Sequence, residues 1–227
     1  MPHPRKALPP LAMKKQPAQQ RATETFERIL EVAALTLADV GVERLSTNLV
    51  CERAGLTPPA LYRYFPNKYA LLNELGQRLM QRQNERVRHW ISVDVFRGDI
   101  AELERAIEGL IVDTYEVTAQ TVGGVWIMRA LRAVPALQEV RTASHAEVTQ
   151  AQAQLLTRAL PHADKSELKL VSRIVVELIY ATVEMLFDEA MDVRAVSRIV
   201  AAMFASHLAR VRPAVARRDR APTSGQR

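Results

Sequence analysis

The sequence predicts an all-α protein built from a small N-terminal helical head and a larger helical body. Three observations lead there. Apolar residues recur at helical spacing along most of the chain; no alternating run reads as a strand; and glycine is scarce, at 8 of 227 residues, which disfavours turn-rich sheet folds. With 48% hydrophobic and 5% aromatic residues, the chain can fill one good core and a second small one.

The first helix is marked by Phe26, Ile29, Leu30, Ala33, Leu37 and Val40, a stripe that Gly41 closes in the manner of a C-cap. Ser46 and Thr47 then offer N-cap hydroxyls to a short helix with Val50 and Ala54 on its inner face, closed by Gly55-Leu56. Thr57 is placed to cap a third helix. Pro58 and Pro59 open its first turn, where a missing N–H costs nothing, and it runs through Leu61, Tyr62 and Phe65 until Pro66-Asn67 breaks it. From Lys68 a long amphipathic helix reaches about Trp90–Ser92. After a break near Arg97-Gly98, Ile100, Leu103, Ile107, Leu110, Thr114 and Val117 mark the next helix. A short one follows Gly123-Gly124, from Val125 to Ala133, and another ends near Pro161. The last two are expected at about Ser166–Met191 and Arg194–Val211.

The penultimate helix is apolar around most of its circumference, and a helix of that kind has to be covered on two sides. The final helix adds Val196, Ile199, Val200, Met203, Phe204 and Leu208, with alanines that permit close approach. One side is expected to face the chain's own core and the other a second copy, giving a four-helix bundle between subunits of a homodimer.

The formal charge is +6, and its distribution matters more than its total. Residues 1–20 carry Arg5, Lys6, Lys14 and Lys15 with no acid, and residues 212–227 carry five arginines against Asp219, so each end is +4 and the rest is −2. Both ends are rich in Pro, Ala and Gln and read as disordered basic arms. The division expected is an arm over 1–20, a head over 21–67, a body over 68–211 and a tail over 212–227. There is no long apolar run and no apolar segment behind the first charges, so the expectation is a cytoplasmic chain without a membrane partner. The lone Cys51 fits a reducing compartment. No Gly-rich phosphate loop, metal-spaced His/Cys set or nucleophile motif points to an enzyme, and no cofactor is expected.

The second and third helices, joined by a four-residue turn, have the dimensions of a helix-turn-helix, in which the second helix enters the DNA major groove. That geometry becomes specific through the string from Gly55 to Lys68, GLTPPALYRYFPNK, preceded by Glu52-Arg53-Ala54. This segment resembles the TetR family of bacterial transcriptional regulators, with its A-G-(V/L)-(S/T) turn, Leu-Tyr pair, aromatic or His before Phe, and Lys opening the fourth helix. The likeness spans about residues 21–72. It implies backbone phosphate contacts at Ser46, Thr47, Thr57, Tyr64 and Lys68, whose hydroxyls and charge suit that role on chemical grounds as well. Base edges would meet Pro59, Ala60 and Arg63, with Tyr62 nearby. Only Arg63 among these offers a bidentate donor, suited to guanine. The Pro58-Pro59 pair departs from the polar or Gly residues more usual at those positions and removes two N–H donors.

The resemblance further implies a double-stranded operator that is nearly palindromic, a homodimer, a repressor's action, and a small-molecule effector bound in the body, whose binding releases DNA. Larger mid-body residues, Tyr115, Trp126, Met128 and Tyr180, with Glu184 as a polar partner, are the candidate lining of an effector pocket for a lipophilic or aromatic molecule. The competing reading is a helical dimer that uses a head of this shape against protein partners.

Overall fold

The structure, a computed structural model, describes residues 9–14 and 20–211. The described residues form ten α-helices and no strand. They are α1 (Gln20–Arg44), α2 (Thr47–Ala54), α3 (Pro58–Tyr62), α4 (Lys68–Trp90), α5 (Val93–Arg97), α6 (Ile100–Gln120), α7 (Gly124–Ala133), α8 (Gln138–Ala159), α9 (Lys165–Asp188) and α10 (Val193–Val211), with one 3-10 turn at Pro135–Leu137.

Local chemistry sets most of these boundaries. Gly41 adopts φ 74°, a left-handed conformation that interrupts α1 and leaves its last residues as a separate turn. The Ser46 hydroxyl accepts from Leu49 N at 3.1 Å, and Gly55 at φ 63° closes α2. Asn67 caps α4 by accepting from Ala70 N at 3.0 Å.

Thr57 occupies the N-cap position of α3 but makes no side-chain cap bond. The reason is the proline pair: Pro59 has no N–H to donate, and Ala60 N bonds to the Thr57 carbonyl instead, at 3.0 Å. Helix α5 is absent from the sequence expectation. Five residues capped by Ser92, with Phe96 alone buried, leave no periodic stripe to read.

Phe26 organises the head, with the Tyr64 ring edge-on at 5.6 Å and the Phe65 ring stacked at 5.2 Å. Ile29, Leu37, Leu45, Val50 and Leu61 close around them. In the body α10 lies along α6, α8 along α9, and α4 against α6, α7 and α8. This interior holds a polar seam: Gln83 donates to Thr118 at 2.8 Å, Asn84 to Ser144 at 3.0 Å, and Tyr180 to Asn84 at 3.2 Å.

The two halves meet along α1. Arg78 on α4 reaches back to Glu27 through two bonds of 2.6 and 2.8 Å, while its Nε holds Glu74 at 2.9 Å. The backbone at Gly123, which opens α7, comes so close to α1 that a Cβ there would lie 2.6 Å from the Ala34 carbonyl oxygen.

Residues 9–14, expected to belong to a disordered arm, lie against the head. Lys14 N donates to the Tyr64 carbonyl at 2.9 Å, Asn67 donates to the Pro10 carbonyl at 3.0 Å, and Leu11 and Met13 pack on the core. These two apolar side chains in an otherwise poorly apolar stretch account for the docking. The remainder of the expected arm up to Gln19, and the tail 212–227, fall outside the described residues. Among the described residues no helix is long and apolar enough to cross a membrane.

Candidate nucleic-acid interface

Helices α2 and α3 are separated by Gly55, Leu56 and Thr57, and the left-handed Gly55 turns the chain sharply enough for α3 to stand against α2. The two are also joined side chain to side chain: the Thr47 and Tyr62 hydroxyls are 2.9 Å apart. That bond fixes Tyr62 near the start of α2 while leaving it 39% exposed.

Seven of the nine residues expected to touch DNA lie on an exposed or half-exposed surface: Ser46, Thr47, Thr57, Pro59, Ala60, Tyr62 and Arg63. Arg63 follows α3, is exposed, and has its guanidinium 5.9 Å from the centre of the Tyr64 ring, against which it can rest without losing its fork of donors. The α2 hydroxyls sit at a helix start, where N–H groups and the helix dipole favour an anion.

The other two expected residues lie in different surroundings. Tyr64 is 3% exposed, its ring packed on Phe26 and its hydroxyl donating to the Ala22 carbonyl at 3.3 Å. It is a core residue of the head, because the bend after α3 turns it toward α1. Lys68 is half-buried, and its ammonium donates to the Val42 and Glu43 carbonyls at 3.1 and 3.4 Å. A cation there satisfies carbonyls left unpaired where α1 ends.

Two acids of the head are paired. Asp39 pairs with Arg53 at 2.7 Å, and Glu27, whose carboxyl lies below its ordinary range through its bonds to Arg78, faces α4. Cys51 is buried, and desolvation pushes its thiol above the usual range, so it carries no thiolate character.

The five residues expected to line an effector pocket do not converge on one cavity. Tyr115 stacks on Phe187 with centroids 4.4 Å apart. Trp126 sits beside Gly41 at the junction of head and body, under the Arg129 guanidinium. Met128 is buried, Glu184 pairs with Arg132, and Tyr180 borders a void of only about 10 Å³ while stacking on His145 at 4.2 Å. A larger concavity lies elsewhere, a groove of about 1190 Å³ between α8 and α9. Its α8 wall carries Thr, Ala and Gln, so no apolar stripe in the sequence marks that side.

Comparison with known proteins agrees with the geometry. The profile of the bacterial regulatory proteins of the tetR family matches residues 29–75, from the middle of α1 into α4. The class C tetracycline repressor protein of Escherichia coli is 43% identical over 54 residues, covering 24% of this chain and 25% of that one. The match to this curated relative thus spans about a quarter of its length. Among solved structures, the fatty acid degradation regulator FadR from Bacillus halodurans is similar at a TM-score of 0.60 and 17% identity, covering 84% of this chain and 96% of its own. A TetR-like transcriptional regulator from Rhodococcus sp. RHA1 gives 0.59 and 18%, covering 86% and 99%. These two likenesses carry the fold across the body as well as the head. With the α2–α3 unit and the matched string together, residues 29–75 carry the head of the TetR family of bacterial regulatory proteins, and the described chain as a whole is similar in fold to TetR-like regulators.

Proposed function

We propose that this transcriptional regulator binds a nearly palindromic operator as a homodimer, one head per half-site, and acts as a repressor that a small effector releases. The observation that carries the reading is the surface of α2 and α3, where Ser46, Thr47, Thr57, Tyr62 and Arg63 are exposed or half-exposed and the Thr47–Tyr62 bond ties the two helices. Hydroxyls and one arginine fork suit a duplex: the hydroxyls reach phosphates, and Arg63 reads a guanine edge.

An exposed apolar stripe supports the homodimer. Leu170 and Ile174 on α9 are 60% and 55% exposed, and Ile199 and Met203 on α10 are 63% and 60% exposed. Two-fold pairing through that surface would set two heads at a fixed separation, as a palindromic site requires.

The test is a gel shift with DNA from upstream of the protein's own gene against competitor DNA. Arg63→Ala is expected to weaken specific binding about tenfold to a hundredfold, the cost of one bidentate base contact. Equal affinity of the unaltered dimer for specific and competitor DNA would sink the proposal. Because Tyr64, Lys68 and Tyr62 each tie parts of the head together, their substitution does not separate this reading from a head that binds protein; Arg63 does.

A further inference from the structure

We propose that the groove between α8 and α9 is a binding site for an amphiphile with an oxyanion head, a carboxylate or a phosphate, and an apolar body. The inference rests on the regulator reading only for its consequence at DNA; the binding itself stands on the groove.

The groove has room for a molecule of that size, at about 1190 Å³. Its charge is of one sign. Arg158, Lys165, Lys169 and Arg173 line it, and no carboxylate does. Arg173 also holds Glu177 at 2.6 Å, but among the described residues Arg158, Lys165 and Lys169 form no ion pair. The α8 wall between these cations is neutral, with Ala146 and Ala153 two turns apart and Gln150 and Gln154 beside them, and Leu170, at the edge of the exposed stripe on α9, gives the groove an apolar side chain for an alkyl body to rest on. Cations of one sign without a facing carboxylate raise the local concentration of an anion.

A second observation points to a ligand independently of charge. Thr149 lines the groove, is 6% exposed, and its hydroxyl has no hydrogen-bond partner. Thr142 and Thr157, on the same side of α8, each bond the carbonyl four residues earlier, at 3.0 and 2.7 Å. A buried hydroxyl left without a partner is costly, and a χ1 rotation would turn this one toward a molecule in the groove.

The experiment is isothermal titration of the full chain with decanoate, decyl phosphate and decyltrimethylammonium, each below its micelle concentration. Both anions are expected to bind about tenfold or more tightly than the cation, the effect of one or two charge-assisted bonds. The ratio of the two anions tells a carboxylate site from a phosphate site. The double variant Lys165→Glu/Lys169→Glu is expected to reverse the preference. Thr149→Val is expected to weaken the anions several-fold with the melting temperature unchanged or raised, which a merely structural threonine would not do. Equal affinity for all three probes, or anion affinity unchanged in the double variant, overturns the proposal. So does a groove filled by a second copy, seen as loss of the dimer in light scattering of the double variant without any anion binding to the unaltered chain. Gel shifts with and without decanoate separate the two readings. A chain that binds the anion and never binds DNA sinks the regulator; one that binds DNA and no anion sinks the groove.

Discussion

Lys68 and Tyr64 show how a residue's chemistry and its position can point in different directions. An ammonium and a phenol suit phosphate contact, yet here the ammonium bonds two carbonyls where α1 ends and the phenol bonds Ala22 across the core. Backbone carbonyls left open at a helix end attract a cation as a phosphate does, and the lysine is held by the nearer partner. Tyr64→Phe is therefore expected to cost about 1 kcal/mol of stability, the net worth of one buried hydrogen bond, and to leave operator affinity within about twofold. Thermal melts and gel shifts on the same preparation check both halves. Were the melt unchanged and the affinity reduced tenfold, the phenol would be a DNA contact. The inward turn of Tyr64 was not legible in the sequence, because it depends on where α1 lies, whose Phe26 ring and Ala22 carbonyl meet the tyrosine from far back along the chain. The Ser46 cap and the Gly55 closure were legible, since both follow from local backbone chemistry.

Among the elements, α1 and α7 form the joint between head and body, and Gly123 is its narrowest point. Its φ of 66° is strained for any residue with a Cβ, and the added carbon would press on the Ala34 carbonyl. Gly123→Ala is expected to destabilise the fold by about 1–3 kcal/mol, combining backbone strain with the clash. A denaturant midpoint shift checks the magnitude. The α8–α9 pair carries a different sensitivity. His145 is buried against Tyr180, with Nδ1 2.9 Å from Glu177, while Arg141 and Arg173 also face that carboxylate. Burial is the largest influence and holds the imidazole below its ordinary range, against the pull of Glu177. A base whose folded value is lowered binds fewer protons folded than unfolded, so its contribution is complete above the free-histidine range of about 6.5 and is lost as pH falls below it. Stability should decline from pH 7 toward 5, and His145→Gln should flatten that decline. Equal slopes for the two proteins in melts across that range would remove His145 as the cause.

At the scale of the whole molecule, the stripe formed by Leu170, Ile174, Ile199 and Met203 is the feature that a single chain leaves unresolved. Four large apolar side chains, each more than half exposed, lie on two neighbouring helices. Isolated exposed leucines are ordinary, but four large apolar side chains left exposed on two helices that pack together point to an interface. An isologous interface brings each stripe onto its own copy, so a charge introduced on it meets its own like across the two-fold axis. Ile174→Glu/Met203→Glu is thus expected to convert the proposed dimer to monomer in light scattering, with the helical circular dichroism retained, because neither side chain belongs to the buried core. The effect on DNA follows from geometry. Two linked heads bind a palindrome with the second contact made at high effective concentration, and severing them returns each head to single half-site affinity. The double variant should therefore lose about a hundredfold or more on the full operator while binding an isolated half-site as the unaltered chain does. A variant that stays dimeric would place the interface elsewhere on the body. One that becomes monomeric yet keeps full operator affinity would show that the two heads bind independently.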